Sequence, residues 1–182
     1  MRKLACVLMC VFAIAAAAVA QESSSNPVID AAKNLLQRQS KNLVAAAEEM
    51  PADQYSYKPT EGQNSFGHVV MHITQSNNFL CSKISGQEAP KATAKDTDPK
   101  DKLVAEMKAS FDYCTTAISS QKDSDLGQEV TMFGGRKASK AAAVIGVTND
   151  WADHYSQMAM YLRQKGMMPP TARREPPAGE KK

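Results

Sequence analysis

The sequence has no segment that alternates apolar and polar residues for long enough to build a sheet, which argues against a β architecture. It has no polybasic run with interleaved aromatics, so nucleic acid is not expected as a partner. It has no internal repeat, which excludes a solenoid. Gly134-Gly135-Arg136 is too short for a phosphate-cradling loop. Histidine is scarce: His68, His72 and His154 are the only three, so imidazole chemistry has few places to sit.

What is present begins with a leader. Arg2 and Lys3 precede an unbroken apolar and small-residue run, Leu4 to Ala17. Ala18-Val19-Ala20 then offers the small residues that signal peptidase accepts, which predicts a signal peptide over 1–20 cut before Gln21. Cleavage would leave no stable membrane span and place the protein in the periplasm or outside the cell. Of 22 basic residues, Arg2 and Lys3 would leave, so the remainder faces 19 acidic residues at a net charge of about +1. Cys6 and Cys10 would leave too, and Cys81 and Cys114 would remain in an oxidising compartment.

The 182-residue chain, with 43% hydrophobic residues, suits one domain with a real core. Residues 21–26 read as a polar leader. From Pro27, Val28, Ala32, Leu35, Leu36, Gln39, Leu43, Ala47 and Met50 recur at helical steps, predicting a helix over 27–49 ended by Pro51. Asn64 or Ser65 can cap a second helix whose stripe is Phe66, Val69, Val70, Ile73, Asn77, Leu80 and Ile84, with Gly86 as terminator. Residues 85–100 are polar, contain Pro90 and Pro99, and are long for a hairpin between antiparallel helices. That length predicts a crossover. A third helix spans roughly 100–121, and a fourth runs from a Ser139 cap to Gln164, stopped by Gly166. Between them, 129–133 could be a short extended piece. The tail over 171–182 is proline-rich and charged, which predicts disorder. The fold class is therefore all-α: a four-helix bundle over 27–170.

Two pairs of residues carry the chemistry. His68 and His72 are four apart on the second helix, and Asp150 and His154 four apart on the fourth. The i, i+4 step puts two donors on one side of a helix, within reach of one ion. If the two helices touch, His72, Asp150 and His154 can converge on a divalent metal (Zn²⁺, Ni²⁺, Fe²⁺ or Mn²⁺) with positions left open. Read without an ion, the same residues are packing histidines and a helix-surface ion pair. His68 reads as a surface residue or as support for the others. By spacing alone, Cys81 and Cys114 are either a bridge or two buried thiols packing as small hydrophobes.

Several motifs resemble the DinB-like superfamily. Ser65-Phe66-Gly67-His68-Val69-Val70-Met71-His72-Ile73 is similar to its second-helix signature, preceded by Ala46-Ala47-Glu48-Glu49-Met50-Pro51 and Tyr55-Ser56-Tyr57-Lys58-Pro59. Asp150-Trp151-Ala152-Asp153-His154-Tyr155-Ser156-Gln157, then Tyr161-Leu162-Arg163, resembles the fourth-helix motif His-x-x-x-His-x-Gly-Gln followed by Tyr-Leu-Arg. The resemblance spans about 27–170. It implies a metal held by His72, Asp150 and His154, with two departures: Asp150 stands where histidine is usual, and Ser156 where glycine is usual. An aspartate makes the site harder and more negative, favouring iron or manganese over an all-histidine site. The resemblance also implies parallel second and third helices, and from that a Cys81–Cys114 disulfide. Homodimers are common in such bundles, although no continuous exposed apolar stripe marks an interface here. Some members are similar to thiol S-transferases, a chemistry that suits a reducing cytoplasm better than an exported protein. The readings that follow are a metal-dependent hydrolase or transferase acting on an unknown small molecule, a non-catalytic ligand- or partner-binding bundle with a degenerate site, and a structural envelope protein.

Overall fold

The computed structural model describes residues 24–173. The signal peptide, the first part of the polar leader and residues 174–182 lie outside them. Four helices dominate: α1 (Pro27–Glu49), α2 (Phe66–Ser85), α3 (Lys100–Ser119) and α4 (Lys140–Gln164). A two-stranded antiparallel hairpin, β1 (Glu129–Thr131) and β2 (Lys137–Ser139), precedes α4. Glycines at 134 and 135 turn it with positive φ. β1 falls within the extended piece expected over 129–133, and its pairing with β2 leaves no alternating pattern because each strand is three residues long.

The helix ends follow local chemistry. Ser65 accepts from the His68 backbone N–H (3.1 Å) and Ser139 from that of Ala142 (3.3 Å). Gly86 closes α2 in the left-handed region. α1 has Pro27 in its first turn and no cap of its own. Asp123, beyond α3, supplies one from a distance: its carboxylate accepts from the N–H groups of Val28 (3.0 Å) and Ile29 (2.9 Å). At this end the stripe is shifted by one residue from its sequence reading. Ile29 is fully buried and Val28 faces solvent.

Cross-contacts give the directions. Gly67, Asn77 and Cys81 on α2 meet Leu103, Ser110 and Cys114 on α3 in the same order, so these helices are parallel. Phe66, Asn77 and Leu80 meet Tyr161, Trp151 and Gly146, so α2 and α4 are antiparallel. Lys100, at the start of α3, donates to the carbonyls of Glu48 (2.6 Å) and Met50 (2.9 Å) at the end of α1. The bundle is thus a square in which α2 packs on α3 and α4, and α1 packs on the same two. The long connection between α2 and α3 is the expected crossover. Glu106 ties it down, accepting from Thr93 and Ala94 N–H at 3.0 Å each. Gly67 lets it pack: a Cβ there would sit 2.6 Å from the Asp96 carbonyl oxygen.

The expected Cys81–Cys114 disulfide is present, with Cα atoms 5.2 Å apart. Residues 171–173, read from the sequence as the start of a disordered tail, are held in place. Pro170–Ala172 form a helical turn, Tyr155 Oη and Thr171 exchange two hydrogen bonds (2.8 and 2.9 Å), and Arg173 pairs with Glu49. Among the described residues, no helix is long and apolar enough to cross a membrane.

Candidate metal centre

The antiparallel seam of α2 and α4 brings His72 opposite Asp150 and His154. One donor atom from each of the three lies within 4.8 Å of the other two. Asp150 Oδ1 is 3.8 Å from His72 Nε2 and 3.5 Å from His154 Nδ1. The two imidazoles stack with centroids 4.7 Å apart. Ligand atoms each about 2.1 Å from one ion can be at most about 4 Å apart, so the three side chains stand within the span of one ion; Asp150 Oδ1 and His154 Nδ1 are engaged in hydrogen bonds of their own, which leaves Asp150 Oδ2 and His154 Nε2 as the free donors. Among the described residues, this is the only group of three or more histidine, cysteine or acidic side chains so clustered.

The register that makes this meeting comes from the buried layer behind it. Trp151, next to Asp150, is fully buried and donates its indole N–H to Asn77 Oδ1 at 2.6 Å. Asn77 also donates to Ser110 on α3 (3.0 Å). One buried amide therefore pins three helices, and a slip of either partner would strand polar groups away from water. The sequence reading placed Asn77 in an apolar stripe, where a buried amide is itself a sign of a required partner.

The site is graded from wet to dry. The His72 side chain is 43% exposed, Asp150 18% and His154 13%. His154 Nδ1 lies 2.8 Å from the Asp150 backbone carbonyl; donating there fixes the tautomer and leaves the Nε2 lone pair free. Polar contact with Asp150 raises the His72 pKa above its ordinary value; burial opposes this, and the carboxylate's charge reinforces it. Asp150 Oδ2 is buried and has no hydrogen-bond partner. A buried carboxylate oxygen left unpaired is costly, and a cation is the kind of group that removes the cost. Two imidazoles, one oriented by its backbone, and a carboxylate with a vacant buried oxygen thus suit a divalent cation.

His68 does not join this cluster. Its Nδ1 lies 3.4 Å from Asp96 Oδ2 on the crossover. Ser76 is a participant the sequence reading missed, although it stands four residues after His72 and so on the same side of α2. A cavity of about 680 Å³ lies elsewhere, lined by Tyr55, Ser65, Asp96 and Lys100 among others, and not by the three donors.

A family profile described as the DinB superfamily matches residues 35–158. Solved structures agree in fold. A DinB-like protein from Bacillus cereus ATCC 10987 superposes with a TM-score of 0.62 at 19% identity, covering 76% of this chain and 95% of that one. One from Bacillus subtilis gives 0.64 at 22% identity, covering 80% and 99%. A mycothiol-dependent maleylpyruvate isomerase gives 0.58 at 14% identity, covering 71% of this chain and 60% of the isomerase. No curated protein matches the sequence.

Proposed function

The chain belongs to the DinB superfamily, and from that premise we propose that it is an exported bundle whose α2/α4 seam binds a divalent metal and acts as a hydrolase or transferase on a small molecule. The observation that carries this reading is the convergence of His72, Asp150 and His154 with a buried, unpartnered oxygen on Asp150. Export rests on the leader sequence and on a disulfide that suits an oxidising compartment.

A bound divalent ion supplies Lewis-acid polarisation of a substrate oxygen. The chain's residues do the rest. The Asp150 backbone carbonyl orients His154. Trp151, fully buried next to Asp150, holds α4 in register on α2 through Asn77. His72, the most exposed of the three donors, stands at the mouth of the site. The donors fit iron or manganese better than an all-imidazole set would, because the carboxylate is hard and anionic.

A non-catalytic ligand-binding bundle is the second reading, and the cavity near Tyr55 and Lys100, away from the donors, favours it. Titration of the metal-stripped protein with Zn²⁺, Ni²⁺, Fe²⁺ and Mn²⁺ separates the two. The metal reading expects one ion per chain and a thermal shift that His72→Ala and His154→Ala abolish. The second reading expects both substitutions to leave metal response, ligand binding and melting temperature unchanged.

A further inference from the structure

Ser76 sits between two of the three donors and belongs to neither helix pair proposed from sequence. Its hydroxyl donates to Asp150 Oδ1 at 3.2 Å, and the same oxygen lies 3.4 Å from His72 Nε2. A hydroxyl has one proton and two lone pairs. Since the proton is given to Asp150, the oxygen can only accept from His72. Asp150 is therefore held by one oxygen, Oδ1, while Oδ2 remains buried and unpartnered.

We propose that Ser76 is a positioning residue of the metal centre, tying down Asp150 Oδ1 so that Oδ2 is left to ligate. The inference rests on the metal reading above. Aspartate at position 150 is shorter than an imidazole, and an untethered carboxylate can rotate either oxygen towards the ion or take it with both. A hydrogen bond to one oxygen removes that choice before the metal arrives. Such outer contacts orient ligands and typically change metal affinity by about 10–100-fold. The His72 contact is of a different kind: when Nε2 gives up its proton to bind an ion, that hydrogen bond is lost while the one to Asp150 persists.

The test is Co²⁺ titration of the metal-stripped protein, followed by calorimetry and visible absorption. It compares wild type, Ser76→Ala, Ser76→Thr, Asp150→His and Ser76→Ala combined with Asp150→His. Ser76→Ala is expected to bind Co²⁺ roughly 10–100-fold more weakly, with the metal-free melting temperature within a few degrees of wild type. Ser76→Thr keeps the hydroxyl and should restore affinity to within a few-fold. In the Asp150→His background no carboxylate remains to be held, so adding Ser76→Ala should change affinity little. Equal Co²⁺ affinity for wild type and Ser76→Ala overturns the inference and leaves the metal reading intact. So does an equal loss in both backgrounds. A wild-type protein that takes up no Co²⁺ overturns the metal reading, and Ser76's role falls with it.

Discussion

α2 has two seams, and they are built differently. Against α3 it is closed. A disulfide, a buried Asn77–Ser110 hydrogen bond and a glycine under the crossover hold it, with the His68–Asp96 pair at its outer end. Against α4 the floor is equally fixed, by Trp151 on Asn77, but the rim carries two imidazoles and a carboxylate at 13–43% exposure. Each seam leaves one buried oxygen without a partner, but of different kinds: Asn78 Oδ1, beside the crossover, belongs to a neutral amide whose nitrogen donates to the Pro90 carbonyl at 2.9 Å, whereas Asp150 Oδ2 belongs to a carboxylate with two imidazoles beside it. Among the described residues, only the second seam offers a cation a cluster of donors.

The comparison breaks most severely at its shared floor. Trp151→Ala opens a cavity and orphans Asn77, and about 3–5 kcal/mol of stability should be lost in denaturant titration. Metal affinity should fall with it, because the α2/α4 register loosens. Removing the bridge with Cys81→Ala and Cys114→Ala frees a loop of 33 residues, costing about 3–4 kcal/mol by the chain-entropy model. That change belongs to the closed seam. The variant, folded at low temperature, should keep metal affinity within a few-fold of wild type. A large loss would mean the two seams are coupled.

The smallest effect is one of pH. The His72 pKa lies above its ordinary value of 6.5. In the metal-free protein, the stability it contributes is therefore full below that ordinary value and is lost as pH rises through the raised one. Metal binding has the opposite sign, since the ion must displace that proton. The metal-induced rise in melting temperature should therefore grow with pH across and above the ordinary histidine range. A rise independent of pH would show that His72 is not a ligand.

Much of this was legible in the sequence because local rules sufficed. Ser65 and Ser139 cap helices, Gly86 and Gly166 end them, and a connection too long for a hairpin crosses over. The three donors were legible as two i, i+4 pairs, and the parallel arrangement that allows the disulfide came with the family resemblance. What escaped depends on distant partners. Asp123 caps α1 across more than ninety residues, at the end where Ile29 rather than Val28 is buried. Thr171 and Arg173 are held by Tyr155 and Glu49 rather than by any pattern of their own. Ser76 and Asn77 look like ordinary polar residues until α4 supplies Asp150 and Trp151 opposite them.

The central claim is that His72, Asp150 and His154 hold one divalent ion between α2 and α4. Elemental analysis of the protein purified without chelators, beside Asp150→Ala prepared the same way, tests it most directly. The account predicts close to one equivalent of a transition metal in the wild type and a small fraction of that in the variant. Equal metal content in both, or none in either, would contradict it.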